Sequence, residues 1–427
     1  MVMRDIGRGD GPNLFASEPG GGPATFEGAP TTPMFVRSAI LFVSFLVASA
    51  SAQTVVTPRG ADDTFDVAAW NIEHFGNPSA GPSDLRQITN AEAVISQSGI
   101  DLWAVQEIGS QSAWQDLLGR LQNDGYTGRL GPEVSGGFQL RLGFIYDPSV
   151  VSVIGSRTIL SSGNFAGRAP FELQARVTVG GESRTVRVIS LHADAGSAQR
   201  DYTNRVNGAL ALKDYIDDRI ARGESVILLG DFNDLLTGTI RSSQLPSPYA
   251  PFLEDADYVA ATLALEDAGI ATFCGNSVTC SGSSTIDHIV YTAGFARLAE
   301  VSRYDEVLTE ISSFVNTTSD HAPVLARFEL GAPVACDCSE PRPVRLLPPA
   351  PHPFRGATDL RFVLEAASDI RLEVFDALGR RVLDVDGPFP AGTHAVALEG
   401  ADLVPGAYVV RLVAGGRVDS SVIVRAE

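Results

Sequence analysis

Cysteine is scarce in this chain of 427 residues: Cys274, Cys280, Cys336 and Cys338 are the four. None sits in a C-x-x-C pair, and only six histidines are available to supplement them. A tetrahedral structural zinc site needs four such ligands at short spacing, so the composition argues against one. Disulfides suit an exported chain better, with Cys274–Cys280 favoured over free thiols. Cys336 and Cys338 are too close in sequence for an unstrained bond. Positive charge is also short, with 32 Lys and Arg against 51 Asp and Glu, a net charge of −19. A broad electrostatic grip on a polyanion needs clustered cations, which this balance disfavours. A nucleic-acid substrate would have to be held by metal ions and a few local arginines.

Long apolar runs are missing too. The stretch from Ala39 to Val47 is too short to cross a hydrocarbon core of about 30 Å. It lies in MFVRSAILFVSFLVASASA, after Arg37 and before the small-residue pattern Ala50-Ser51-Ala52. That arrangement reads as a secretory signal peptide cut after Ala52. Met34 is then the expected start and residues 1–33 an upstream extension. The mature chain is expected to carry no transmembrane segment and to be secreted or attached to the cell surface.

What is present is enough apolar residue for folded cores, at 44% of the chain, and a length suited to two or three domains. Between Phe65 and about Leu330 the segments DVAAWNI, DLWAVQE, LGFIYD, VRVISLH, SVILLGD, TIDHIVY and PVLARFEL read as buried strands. A helix is expected from about Asn90 to Ser98. Another is expected over Asn204–Arg222, where Val206, Leu210, Ile216 and Ile220 recur at near-helical spacing and Gly223 follows as the cap. Strands punctuated by helices predict a two-sheet α/β sandwich over residues 53–332. Residues 333–353, rich in proline, read as a linker. Residues 354–427 hold the short apolar runs RFVLEAA, DIRLEVFDA, HAVALEG, GAYVVRLVA and DSSVIVRA, which predict a small all-β, Ig-like sandwich.

Polar residues cluster at the ends of the buried strands. They are Asn71 and Glu73 in WNIE, Glu107 in QE, His192 in SLH, Asp231 and Asn233 in GDFN, Asp287 in IDH, and Asp320 with His321 in SDH. Phosphodiester hydrolysis needs a deprotonated water, neutralised phosphoryl oxygens and a stabilised leaving oxygen. Carboxylates and amides suit a hard cation such as Mg²⁺. A histidine oriented by a carboxylate can take the proton. Each residue alone is weak evidence: an Asp closing a strand is more often a turn former, Asn71 could cap a helix, and His74 or His352 is most simply a surface or core residue. The ordered co-occurrence carries the inference.

In that order, WNIE, QE, SLH, GDFN, IDH and SDH resemble the endonuclease/exonuclease/phosphatase superfamily, with its deoxyribonuclease-I-like fold, over about residues 65–330. The resemblance implies a metal set of Glu107, Asn71, Asp320 and Glu73 for Mg²⁺ or Mn²⁺. It implies that Asp231 and Asn233 hold the nucleophile and a phosphoryl oxygen, and that His321, oriented by Asp287, is the base or a phosphate-contacting imidazole. His192 resembles the histidine that the secreted deoxyribonucleases back with a carboxylate. The corresponding stretch here, GFQLRLGF, has Gln139, Leu140 and Arg141 and no acid, so a lesser, hydrogen-bonding role is expected for His192. Arg141 is a candidate substrate-phosphate contact or, equally, a solvated strand-edge charge.

The C-terminal segment is similar to the carboxy-terminal sorting domains of type IX secretion cargo and to flagellar-hook-type Ig modules. That similarity implies an encounter with outer-membrane secretion machinery; a generic spacer is the alternative. A secreted metal-dependent phosphodiesterase, first of all a nuclease, is the leading expectation. Phosphomonoesterases, inositol-phosphate phosphatases and sphingomyelinases share the same core chemistry, and a non-catalytic surface-binding protein is the reading from another class. Substrate choice is expected in the loops Asn77–Arg86, Ser161–Phe171 and Thr237–Tyr258. In the last of these, Tyr249, Phe252 and Tyr258 are suited either to stack on bases or simply to pack.

Overall fold

A computed structural model describes residues 55–133, 140–242, 245–281, 284–331, 344–351, 354–364, 366–376, 379–415 and 417–426. The expected signal peptide, Gln139, Cys336, Cys338 and His352 lie outside the described residues. The chain runs β1 (Phe65–Phe75), α1 (Asp84–Ser98), β2 (Leu102–Ile108), α2 (Gln111–Leu121), β3 (Thr127–Leu130), β4 (Arg141–Tyr146), β5 (Val151–Thr158), β6 (Phe171–Val179) and β7 (Glu182–His192). It continues with α3 (Gln199–Ile220), β8 (Ser225–Asp231), α4 (Ala250–Leu253), β9 (Tyr258–Ala260), α5 (Leu263–Asp267), β10 (Asp287–Thr292), β11 (Arg297–Arg303), α6 (Glu306–Glu310), α7 (Phe314–Thr317) and β12 (Val324–Glu329).

These strands form two six-stranded sheets, ordered β11-β12-β1-β2-β4-β3 and β5-β6-β7-β8-β10-β9. Alternation along each central strand explains the layering. Val67 and Ala69 of β1 point into a core shared with Val186, Val188, Ile227, Leu229 and Ile289 of the second sheet. Ala68, Trp70 and Ile72 point the other way, onto Val94 and Ile95 of α1 and Leu117 of α2. Likewise Ile189, Leu191, Val226 and Leu228 pack on Ala209, Leu212 and Ile216 of α3. Because both faces are covered, the central strands read as continuous apolar runs in the sequence. The expected two-sheet α/β sandwich is therefore the observed architecture.

Register brings the polar strand ends together. His192 at the end of β7 pairs with Asp231 at the end of β8, and Asp231 pairs with Asp287 at the start of antiparallel β10. In the first sheet β1 runs parallel to β2, which aligns Asn71 with Gln106 beside Glu107. Trp70 ties this edge to the segment before β12: its indole lies 6.2 Å from the Phe314 ring, and Nε1 donates to the His321 carbonyl at 3.0 Å.

Helix ends differ from the sequence expectation. α1 begins at Asp84 rather than Asn90, because extended Ser83 sets its start. α3 begins at Gln199, where Asp201 accepts from the Ala198 N–H at 3.0 Å. α3 ends at Ile220 with Ala221 as its cap, and Gly223, the expected cap, turns the chain two residues further on at φ 73°. Among the described residues no helix is long and apolar enough to cross a membrane.

Beyond residue 343, β13 (Val344–Ala350), β14 (Ala357–Leu364), β15 (Ser368–Asp376), β16 (Arg381–Phe389), β17 (Gly392–Glu399), β18 (Gly406–Ala414) and β19 (Arg417–Arg425) form two small sheets, β13-β14-β17 and β16-β15-β18-β19. Leu360, Phe362, Leu372, Val374, Val410 and Leu412 fill the core between them. This is the expected all-β sandwich. The strand β13 lies inside the stretch read as linker, and it pairs with β14 despite its prolines because it forms the sheet's edge.

Candidate active site

At the shared end of the two sheets, Asn71 is the hub. Its Nδ2 donates to Glu107 Oε1 at 3.1 Å and to Asp231 Oδ2 at 3.0 Å, and its Oδ1 accepts from the Glu73 N–H at 3.0 Å. The amide therefore orients carboxylates from both sheets. The other Glu107 oxygen accepts from the His74 N–H at 2.9 Å. Glu73 reaches across to accept from the Asp320 N–H at 3.0 Å. Gln87 of α1 braces this corner by donating to the Ile72, Glu73 and Thr318 carbonyls.

The acid/base half is equally constrained. His321 Nδ1 lies 2.8 Å from Asp287 Oδ2, and its Nε2 lies 4.0 Å from Asp231 Oδ2 and 3.9 Å from Asp320 Oδ1. Ser319 Oγ accepts from the His321 N–H at 3.0 Å and donates to the Asn71 carbonyl at 2.6 Å. Asn233 donates its N–H to Asp231 Oδ1 at 2.9 Å and its Nδ2 to the Ala193 carbonyl at 3.2 Å.

His192 is buried with Nε2 at 3.6 Å from both Glu107 Oε1 and Asp231 Oδ2. Its Nδ1 has no hydrogen-bond partner among the described residues. Glu133, the nearest acid upstream of the stretch GFQLRLGF, pairs instead with Arg141 at 2.6 Å. Arg141 is itself buried rather than a solvated edge charge, and its guanidinium is spent on Glu133 and Gln111.

Electrostatics separates the two imidazoles. Burial disfavours protonation of His321, but the carboxylates of Asp287, Asp231 and Asp320 outweigh it and raise the pKa well above 6.5. Burial and then the Arg168 charge push His192 well below 6.5, so it is neutral. Burial raises Asp231 to about 7, with Asp287 and Glu107 adding repulsion. Burial and Asp320 raise Glu73 to about 7.

A cleft crowded with carboxylate oxygens that hold their protons too tightly is short of positive charge. A hard divalent cation fits that deficit and that donor set. Asp231, Asp287 and His321 also offer ligand atoms within 4.8 Å of one another. His321 Nδ1 is already committed to Asp287, however, so this trio is better suited to moving a proton than to holding a metal.

Two features escaped the sequence reading. Arg168, in the loop before β6, donates to the His192 and Ala193 carbonyls at 3.4 and 2.8 Å. Burial lowers its pKa while Asp231, Glu107 and Asp194 work the other way. Arg205 on α3 is fully buried against Asp234, at 2.8 Å, and donates to the Asp194 and Gly196 carbonyls, bracing the loop after His192. The second Asp of GDFND was the available signal for that pair. Tyr249, Phe252 and Tyr258 prove to be core residues: Tyr249 lies 4.8 Å from the Phe232 ring, and Phe252 lies 5.1 Å from Tyr258. They pack and offer no stacking surface.

A two-sheet sandwich with this carboxylate and imidazole cleft at its strand ends defines a class of metal-dependent phosphoester hydrolases. Residues 68–321 match the Endonuclease/Exonuclease/phosphatase family, and the chain belongs to it. It is accordingly a hydrolase of phosphoester bonds. No curated protein matches it by sequence. Among solved structures it is similar to an endonuclease/exonuclease/phosphatase from Beutenbergia cavernae, 18% identical with TM-score 0.49, over 85% of this chain and 100% of that one. It is also similar to the human Nocturnin catalytic domain, 16% identical with TM-score 0.44, over 63% and 96%. A third is TDP2 of D. rerio complexed with single strand DNA product, 14% identical with TM-score 0.45, over 62% and 99%.

Proposed function

We propose that the chain is an exported phosphodiesterase acting on nucleic acid with Mg²⁺ or Mn²⁺. The observation that carries this reading is the convergence, in one cleft, of a carboxylate cluster with an imidazole bonded to a buried carboxylate at 2.8 Å. Glu107, with Glu73 and Asp320 beside it and Asn71 orienting it, would hold the cation. That ion supplies charge neutralisation at the phosphoryl and leaving oxygens. His321 accepts the proton of the attacking water at Nε2, while Asp287 fixes the ring and stabilises the imidazolium. Asp231 lies close enough to Nε2 to align that water. One amide hydrogen of Asn233 remains to meet a phosphoryl oxygen. His192, neutral and facing two carboxylates, serves as a hydrogen-bond donor.

Export is supported by the leader-like segment before Gln53 and by the Cys274–Cys280 disulfide, which suits an oxidising compartment. In this reading residues 53–332 are the catalytic domain. The C-terminal sandwich engages outer-membrane secretion machinery and leaves the protein secreted or at the cell surface.

The deciding experiment sets plasmid DNA, RNA, sphingomyelin and inositol phosphates side by side with the full chain, in Mg²⁺ and in chelator. Metal-dependent cleavage of nucleic acid is the expected result. Turnover confined to the lipid or the inositol phosphates would reject the nuclease reading. No turnover on any substrate would reject the site assignment.

A further inference from the structure

Three consecutive residues, Thr272, Phe273 and Cys274, join the two halves of the acid/base pair across the sandwich. Asp287 opens β10 in the second sheet, whereas His321 precedes β12 in the first. The Thr272 hydroxyl accepts from the N–H of Ile286 and from that of Asp287, each at 3.0 Å. The Thr272 carbonyl accepts from the Ala322 N–H at 2.8 Å, and the Cys274 N–H donates to the Asp320 carbonyl at 2.6 Å. These last two bonds bracket His321, which forms an antiparallel bridge with Phe273. The Phe273 and His321 ring centroids are 5.0 Å apart.

Directly after this segment, the disulfide Cys274–Cys280 closes a short loop. Both cysteines are buried in the core beneath β1 and α1, so the bond anchors the segment to the first sheet's packing. Cys280 sits at φ 52°, a conformation that an unconstrained cysteine leaves readily.

We propose that the disulfide-closed segment 272–280 is a positioning element for proton transfer, and that breaking its bond lowers turnover while the fold persists. The proposal rests on the reading of His321 and Asp287 as the acid/base pair. Reduction by a dithiol delivers two electrons and two protons: Cys274 and Cys280 become thiols, and the reductant becomes its own disulfide. The freed segment then no longer fixes the backbones that carry His321 and Asp287. A misplacement of about 1 Å at reacting groups costs on the order of 10²-fold in rate, and half of that costs roughly tenfold. Glu107 is held separately, by Asn71 and the His74 N–H, so the metal site keeps its principal carboxylate while Asp320, bonded through its carbonyl to the Cys274 N–H, loosens with the segment.

The test uses the full chain with Mg²⁺ and bis(para-nitrophenyl) phosphate. Cys274→Ser/Cys280→Ser is expected to lower kcat about 10- to 100-fold in saturating Mg²⁺, with KM within about twofold. Dithiothreitol should bring the oxidised protein to the same level and leave the double variant unchanged. A Cys336→Ser/Cys338→Ser control should respond to dithiothreitol as the parent does. Thr272→Val should reproduce the kcat loss and Thr272→Ser should rescue it, which separates a positioning hydroxyl from mere packing.

A readout independent of turnover is the low-field proton resonance of the His321 Nδ1–H bonded to Asp287. It should be sharp in the oxidised protein and broadened or lost in the cysteine variant. Full kcat in that variant, or an unchanged resonance, overturns the proposal, as does a kcat loss accounted for by the unfolded fraction in a melting curve. A disulfide-sensitive resonance in a protein without metal-dependent turnover would instead reject the phosphoesterase reading.

Discussion

Replacing Asp287 by asparagine keeps the shape of the site and removes one charge. An amide oxygen can still accept from His321 Nδ1, now separated by 2.8 Å from the carboxylate. What disappears is the attraction that stabilises the imidazolium once the water's proton has arrived. Unit charges about 3 Å apart interact by roughly 5–6 kcal/mol at an effective dielectric of about 20, and hydrogen bonds to charged groups contribute about 1.5–3 kcal/mol net. Part of the loss is returned, because Asp287 also repels Asp231 and raises its pKa. A net loss of about 2–4 kcal/mol corresponds to a fall in kcat of roughly 30- to 1000-fold.

The pH profile supplies the sign. Burial lowers the His321 pKa and Asp287 raises it, so the Asp287→Asn ring is easier to deprotonate. A base must be unprotonated to act, so the acidic limb of kcat/KM should move to lower pH while the plateau drops. Steady-state rates across pH in saturating Mg²⁺ measure both effects. A limb that stays fixed or moves upward, or a plateau within about fivefold of the parent, would refute the assignment of Asp287 to His321.

Four further outcomes follow from the same geometry. Glu107→Gln must meet the Asn71 and His74 donors with one oxygen and offers the cation no charge; activity should fall at least about 10²-fold and the parent's should vanish in chelator, whereas full turnover in chelator rejects metal dependence. His321→Ala should cost about 10²- to 10⁴-fold. His192→Ala should cost less, since that ring has no bonded acid; equal losses on one substrate would show that His192 also transfers a proton. Asp231 and Glu73 are held near 7, above their unfolded values, so the stability of the protonated form is lost as pH rises through about 4 to 7. In chelator Tm should therefore fall from pH 5 to pH 8, and Mg²⁺ should restore more of it at pH 8; equal metal stabilisation at both pH values would contradict this.

The sequence made the central strands legible because both of their faces are buried. β8 was delimited residue for residue as SVILLGD. The site was legible for the same reason, since each candidate closes or opens such a run, and the register then carries His192, Asp231 and Asp287 side by side. Peripheral elements were not legible. β5 is exposed along most of its length, β3 alternates weakly over four residues, and α2 is short with only four buried positions. Little local pattern marked β3 and β5, whereas α2 carried a start signal that went unread, Ser110 accepting from the Ala113 N–H.

Arg168 was hidden differently. Its contacts are to backbone carbonyls, which leave no trace in side-chain pattern, and it lies in a loop that periodicity cannot place. The aromatic residues of the loop Thr237–Tyr258 were ambiguous because composition does not tell a stacking surface from a core. Burial decides it: Tyr249 spends its hydroxyl on the Phe232 carbonyl and Tyr258 on Asp217.

Two unfavourable features coincide in the cleft. Glu73, His74, Glu107 and Asn233 all adopt left-handed backbone conformations, with φ between 40° and 64°. Such residues persist only where their surroundings over-determine them. Here Asn71, Gln87 and the Glu73–Asp320 contact do so, and the two cores on either side of the first sheet hold those elements in place. At Glu73, burial and the Asp320 charge also oppose ionisation. His321 and Arg168 attract Asp231, but burial outweighs them, and Arg205 is committed to Asp234. Backbone strain and electrostatic frustration thus meet in this cleft. A bound divalent cation followed by a phosphoester removes the electrostatic part, so the fold stores at this cleft a selectivity for the ligands its chemistry requires.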